Sequence, residues 1–342
     1  VTYFLTGATG FLGGVLARQL VEGGHGVRAI VRSPGKADAL RALGVELVAG
    51  DVTDAASMRD SMRGVDGVFH VAGWYKVGLR DSAAAQGVNV EGTRNVLQLM
   101  RDLRVPKGVY TSTLAVNSDT RGHLVDETYR FDGRHLSVYD QTKAEAHRLA
   151  DDFIRGGLPL VIVQPGLIYG PGDTSGVRTT LVQFLRRELP AVPRQTAFAW
   201  AHVEDIARGH VLAMARGTPG RNYFLAGPVH TLEGALDLAA EMTGVPAPRV
   251  RLPPIVLRGA SILVRPIERL IGLPPAFTSE GLRVIAGVTY IGTSARAQQE
   301  LAWQPRPLRD GLTETLHHEL ALLNQSRLGP AGAPADSAPP AP

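Results

Sequence analysis

Between a short strand-like run, Thr2–Thr6, and an amphipathic stretch from Phe11 to about Val21, the chain reads Gly7-Ala8-Thr9-Gly10-Phe11-Leu12-Gly13. Few folds accept a strand that turns through three glycines directly into a helix. Small residues there let the backbone approach a diphosphate, and the helix start offers it unpaired N–H groups and the positive end of the dipole. We therefore expect a dinucleotide-binding turn, with Gly7, Thr9, Gly10, Phe11, Leu12 and Gly13 as contacts. Strand-like runs near 2–6, 27–31, 45–48, 66–71, 107–111 and 159–164 alternate with helix-like runs, which predicts an α/β fold, a doubly wound parallel sheet of Rossmann type. Residues 1–165 are expected to form the nucleotide-binding domain. Residues 166–325 should be mainly a smaller substrate lobe that returns to the first domain at about 201–226. The Pro- and Ala-rich end, 326–342, lacks periodicity and reads as a disordered tail.

Tyr139 and Lys143 lie four residues apart in Ser137-Val138-Tyr139-Asp140-Gln141-Thr142-Lys143, and the apolar pattern continuing through Ala144, Ala146 and Leu149 reads as a helix. That spacing puts both side chains on one helical face. A phenol ordinarily loses its proton near pH ~10, and a neighbouring ammonium should favour the phenolate and lower that value. The pair is then a proton donor and acceptor. Its competing reading is a solvated helix face.

The Thr6-Gly7-x-x-Gly10-x-x-Gly13 turn and the Tyr139-x-x-x-Lys143 pair, in this order, resemble the short-chain dehydrogenase/reductase superfamily. Further segments resemble its extended branch, the NAD-dependent epimerase/dehydratase family. These are Phe69-His70-Val71-Ala72-Gly73, Gln164-Pro165-Gly166-Leu167-Ile168-Tyr169-Gly170-Pro171-Gly172, His202-Val203-Glu204-Asp205, and Ser294-Ala295-Arg296-Ala297 with Leu301-Ala302-Trp303-Gln304-Pro305. They extend the likeness to about residue 320. The resemblance implies hydride transfer between a nicotinamide and a carbonyl or carbinol carbon, with Tyr139 moving the matching proton. It makes Thr113 the hydroxyl that bonds the same oxygen, Ser112 being the reserve, and gives Lys143 a second role on the nicotinamide ribose. Ala72, Gly73, Pro165, Gly166 and Ile168 would then line the cofactor, Asp51 and Val52 would meet its adenine, and Asn89 would support a water or the lysine. Asp54 reads instead as the cap of a helix from Ala55 to Met62. His70 has no acidic partner near it in sequence, so we assign it no chemistry.

An NAD-binding fold usually carries a carboxylate at the end of the second strand, on the ribose hydroxyls. Here Val27-Arg28-Ala29-Ile30-Val31 runs into Arg32-Ser33-Pro34-Gly35-Lys36. Arg32 and Lys36 could clamp a 2′-phosphate that a carboxylate would repel, so NADP(H) is favoured over NAD(H). Arg28 reads as a surface residue.

Composition narrows the partners. With no cysteine, neither disulfides nor cysteine metal sites can form, and no metal centre is expected. The net charge of +4 is small and its basic residues are scattered, which argues against nucleic acid. No long uninterrupted apolar run or leader pattern occurs, so a cytoplasmic enzyme is the expectation. A homodimer through the helices containing Asn95 and Tyr139 is implied by the resemblance alone.

Nucleotide-sugar enzymes of this branch carry an arginine shortly before the His-Val-x-Asp segment, where Phe198 stands here, and no Asp-Glu pair follows Ser112 as sugar dehydratases require. Trp74, Tyr75, Phe131 and Leu167 suit a less polar small molecule. Apolar runs punctuated by Arg258, Arg265 and Arg269 between Pro254 and Leu273 read as a lid over that site in preference to a membrane contact. The favoured reading is a carbonyl reductase, nearest to dihydroflavonol-reductase-like and steroid-dehydrogenase-like enzymes. A sugar epimerase or dehydratase is the runner-up, and a cofactor-sensing regulator the third.

Overall fold

A computed structural model of the chain describes residues 1–75 and 82–328. Seven strands form the main sheet: β1 (Thr2–Thr6), β2 (Gly26–Val31), β3 (Glu46–Ala49), β4 (Gly67–His70), β5 (Gly108–Thr111), β6 (Leu160–Pro165) and, after an excursion, β10 (Asn222–Leu225). Their order is β10-β6-β5-β4-β1-β2-β3 and every pairing is parallel. Each of the six strands expected from sequence is present to within a residue or two at its ends. The chain reverses its direction of sheet growth between β1 and β4, so the connections leaving their carboxyl ends part there and open a crevice.

Both faces of this sheet are covered, which explains its near-continuous apolar strands. Neighbouring residues point to opposite sides. Leu5, Phe69 and Val109 pack with Leu16 and Leu20 of the helix Phe11–Glu22 and Ile206 of the helix Val203–Arg216. Phe4, Val68 and Tyr110 pack on the other side with Leu97 and Met100 of the helix Gly92–Asp102 and Ala146 of the helix Val138–Arg155.

Between β6 and β10 lie β7 (Leu167–Tyr169), β8 (Ala191–Pro193) and β9 (Ala197–His202); beyond β10 come β11 (Val229–Thr231), β12 (Val250–Leu252) and β13 (Thr289–Tyr290). β9 runs between β11 and β13 and also pairs with β7, while β8 pairs with β12. A separate apolar cluster of Leu181, Phe184, Trp200, Leu236 and Leu312 holds this part together. The helix Leu308–Leu328 passes through 326–328, which sequence placed in the tail; its apolar Leu312 and Leu316 are buried and carry the helix on. Residues 329–342 of that tail lie outside the described residues. The helix after Asp54 is also shorter than expected, Ala55–Arg59, and Asp54 caps it by accepting from the Ala56 and Ser57 N–H groups.

The two late sequence segments turn out to be one lock. Asp205 is buried, and its carboxylate accepts from the Arg306 N–H at 2.9 Å and Nε at 3.0 Å, while its carbonyl accepts from Trp303 Nε1 at 2.6 Å. Removing one partner of such a buried pair leaves the other charge poorly solvated. Asp205→Ala should therefore lose about 3 kcal/mol of stability in urea unfolding, and a loss below about 1 kcal/mol would show that the lock is incidental.

Candidate active site

The glycine turn sits at the crevice. Gly7 has φ +77°, a conformation that side chains disfavour, and a Cβ there would lie 2.7 Å from the Ala72 backbone nitrogen. At Gly13 an added Cβ would lie 2.0 Å from the Gly7 carbonyl oxygen. Gly10 starts the helix Phe11–Glu22 with no side-chain cap, so the first-turn N–H groups have no such acceptor. A bare, positively polarised helix end inside a turn that tolerates no Cβ fits a dinucleotide diphosphate. Thr9 and Phe11 lie in the same turn, and Leu12 turns its side chain into the core.

Thr6 joins this turn to the end of β4. Its Oγ1 accepts from the Val71 and Ala72 N–H groups, both at 3.1 Å, and lies 2.8 Å from His70 Nδ1. His70 Nε2 lies 3.0 Å from Thr93 Oγ1, which donates to the Asn89 carbonyl at 2.6 Å. With Thr6 already accepting twice, its proton goes to Nδ1, and the imidazole carries its own proton on Nε2. Burial, assisted by the Lys143 charge, pushes His70 down to about 3, so the ring stays neutral.

Across the sheet edge, the helix Val138–Arg155 begins at Ser137, whose side chain accepts from the Asp140 N–H. Tyr139 and Lys143 share a face of its first turns. The Thr113 side chain acts on Tyr139 in the direction that eases its ionisation. Lys143 is buried, and its Nζ donates to the Thr111 carbonyl at 2.8 Å and to the Tyr110 hydroxyl at 3.2 Å. Ser112, the reserve, turns the other way and lies 2.8 Å from His147 Nδ1. Ser112 is thus engaged with His147, while the Thr113 side chain acts on Tyr139.

The electrostatics differ from the simple expectation. Burial pushes Tyr139 up to about 12, the Thr113 hydrogen bond opposing this and the Asp140 charge adding to it. Burial also lowers Lys143 to about 7. The ammonium does not by itself draw the phenol down, because its donors are aimed at Thr111 and Tyr110 and its own charge is poorly solvated. Sequence gave no sign of Tyr110, which places its hydroxyl against Lys143 and its ring 4.8 Å from Nζ. Nor did it mark Asp140, whose buried carboxyl is raised to about 7 and accepts from the Tyr290 hydroxyl at 3.0 Å.

The remaining predicted positions fall on both rims of the crevice. Ala72 abuts Gly7, and Gly73 follows it. Gly166 approaches β9 so closely that a Cβ would lie 2.1 Å from the Ala199 carbonyl oxygen; Pro165 ends β6 and Ile168 lies in β7, paired with Ala201. Arg32 and Lys36 are exposed just after β2 and form no ion pair among the described residues, whereas Arg28 is bound to Glu46 at 2.9 Å and to the Ser61 carbonyl at 2.8 Å. Asp51 Oδ1 accepts from the Thr53 N–H and hydroxyl, shaping its own loop, and Val52 packs inward against Gly92 with its carbonyl held by Asn95. The Asn89 side-chain amide accepts from the Trp74 N–H (2.8 Å) and donates to the Trp74 carbonyl (3.0 Å) and Thr142 Oγ1 (2.9 Å). Phe198 stacks on Tyr290 with centroids 6.0 Å apart, and Tyr75 reaches Thr174 at 2.9 Å.

A parallel sheet with a glycine turn and a Thr-Tyr-Lys cluster at its carboxyl edge defines a short-chain dehydrogenase/reductase. The family model for the NAD dependent epimerase/dehydratase family matches residues 3–226, and the chain belongs to that family of nicotinamide-dinucleotide enzymes. It is 33% identical to a putative dihydroflavonol 4-reductase of Synechocystis sp., over 92% of this chain and 93% of the relative. It is 32% identical to sterol demethylase protein B of Methylococcus capsulatus, over 92% and 97%. Among solved structures, the crystal structure of gox2253 aligns with a TM-score of 0.83 at 30% identity, covering 94% of this chain and 98% of that one.

Lys143 leads to a measurable pH effect. Its folded value, about 7, lies below its usual 10.5, so between those values the unfolded chain binds the extra proton and folding stability rises with pH. Lys143→Met removes this contribution. The urea midpoint of the wild type relative to Lys143→Met should climb from pH ~7 towards ~10; a flat difference would mean that the ammonium is already well solvated.

Proposed function

We propose that this chain reduces a carbonyl, or oxidises the corresponding alcohol, of a small and fairly apolar substrate, using NADP(H) in preference to NAD(H). The observation that carries this reading is that Tyr139, on which the Thr113 side chain acts, shares a helical face with the buried Lys143 at the carboxyl edge of the sheet. When bound, the dinucleotide supplies or accepts the hydride.

Gly7, Thr9, Gly10, Phe11, Leu12 and Gly13 would hold its diphosphate, Ala72, Gly73, Pro165, Gly166 and Ile168 would flank it, and Asp51 and Val52 would meet the adenine. Tyr139, protonated across the neutral range, donates its proton to the substrate oxygen as that oxygen gains charge, and Thr113 donates a second hydrogen bond to the same atom. Lys143 lies near enough to neutrality to change its proton content in use. A cofactor ribose on its remaining donor would restore its charge and with it the acidity of Tyr139. Thr111 and Tyr110 fix where that charge sits. Asn89, by gripping both Trp74 and Thr142, keeps the loop after β4 in register with the Tyr139 helix.

Phe198 supports the apolar substrate. Stacked on Tyr290, it presents an aromatic ring where a nucleotide diphosphate would need a cation. The relatives named for a dihydroflavonol and a sterol agree with this choice. The phosphate preference rests on Arg32, which is exposed just after β2 and forms no ion pair among the described residues, while Arg28 is engaged elsewhere.

The decisive assay is net oxidation of added NADPH against a panel of cyclic and aliphatic ketones. An epimerase returns its hydride and would consume none. Tyr139→Phe should keep NADPH affinity within about twofold while lowering turnover by at least ~100-fold; undiminished turnover removes Tyr139 from the reaction. Arg32→Ala should weaken NADPH binding by roughly tenfold or more, a charge-assisted contact, and leave NADH binding nearly unchanged. Equal losses for the two nucleotides would return Arg32 to the loop surface.

A further inference from the structure

More than half of the large apolar side chains exposed among the described residues fall between Ile255 and Phe277. The helix Pro254–Val264 divides its residues unusually. Leu257 and Ser261 are buried, and Leu257 packs with Leu282 and Ala286 at the helix Ser279–Val284. The opposite face carries Ile255, Ile262 and Leu263 at 78%, 72% and 74% exposure. At 3.6 residues per turn, Arg258 and Arg265 are two turns apart and stand together along one edge of that apolar stripe. Both are exposed, and neither forms an ion pair among the described residues. Glu268, a nearby carboxylate in sequence, is turned inward onto the Ser279 N–H at 2.6 Å and its hydroxyl at 3.1 Å. The sequence reading made this stretch a lid over an apolar site, yet its most apolar face points away from the protein.

We propose that this face docks on a bilayer surface containing anionic lipid, lying in the interface without crossing it. Ile255, Ile262 and Leu263 would enter the acyl boundary while Arg258 and Arg265 reach up to headgroup phosphates from its edge. Among the described residues no helix is long and apolar enough to span a membrane, so the contact is peripheral. A second copy is a poorer occupant. Two-fold pairing would set each stripe against itself and bring the arginines of both copies together as like charges. Residues 329–342 contain no Leu, Ile, Val or aromatic side chain with which to cover it.

The docking face lies next to the start of the helix that carries Tyr139. On the helix behind it, Glu280 accepts from the Val138 N–H at 3.3 Å and Arg283 donates to the Leu136 carbonyl at 3.2 Å, just ahead of Tyr139. Docking would turn that end of the protein towards the phase in which an apolar substrate concentrates. This last step rests on the function proposed above; the docking itself does not.

Co-sedimentation of the purified chain with vesicles tests it, using phosphatidylcholine alone and phosphatidylcholine mixed with phosphatidylglycerol. The wild type should pellet with the mixed vesicles and only weakly with the neutral ones. Arg258→Glu with Arg265→Glu should weaken that binding roughly tenfold or more, and added salt should do the same to the wild type. Ile262→Asp with Leu263→Asp should weaken it at least ~10-fold, and thermal melting checks that the fold is kept; the arginine pair is the independent variant should it not be. Equal binding to both vesicle types, or no binding to either, overturns the proposal. So does a dimer in sedimentation velocity that the Ile262/Leu263 substitutions dissociate.

Discussion

The geometry of the whole site depends on how closely two strand ends meet. Thr6 Oγ1 gathers the Val71 and Ala72 N–H groups while Gly7, with no Cβ, lets the first turn lie against Ala72. A larger residue at Gly7 would push the ends of β1 and β4 apart, and the crevice between them is where an open parallel sheet places its ligand. The hydroxyl of Thr6 and the missing side chain of Gly7 therefore act together: one pulls the strands in and the other leaves room for them.

From this point buried polar contacts run towards the helix that carries Tyr139 and Lys143. Thr6 meets His70, His70 meets Thr93, and Lys143 bonds the Tyr110 hydroxyl, whose acidity the Thr93 side chain also influences. A polar chain of this kind is stable in a dry interior only when every member has a partner, so it fixes rotamers as well as contributing energy. Asn89 adds a second tie, and it does so from a π-helical segment, Gln86–Glu91, where the wider turn sets the amide between Trp74 and Thr142. Both ties lead to the same face of the Tyr139 helix. The low proton affinity of Lys143 is a result of this burial, and it makes the lysine responsive to whatever further group approaches it.

The parallel sheet, its strand boundaries and the glycine turn were legible because each rests on local pattern: apolar runs of strand length, a helix start, and residues without side chains at fixed offsets. The Tyr139–Lys143 relation was legible for the same reason, being set by helical spacing. The preference for Thr113 over Ser112 came from the family likeness and not from local pattern, since adjacent residues at a strand end point in opposite directions and spacing alone does not say which of them faces Tyr139. Asn89 was noticed but its partners were not, because Trp74 and Thr142 lie far from it in sequence. Tyr110 and Asp140 looked like ordinary residues beside marked ones.

The amino-acid sequence by itself determined the family, the fold and the helical pairing of phenol and amine, since these follow from short-range spacing that no distant contact can alter. Tertiary structure alone decided what holds Lys143, the direction of its proton affinity, and which face of the Pro254–Val264 helix meets solvent. Those properties depend on desolvation and on partners brought together from distant parts of the chain, and neither exists before the chain folds.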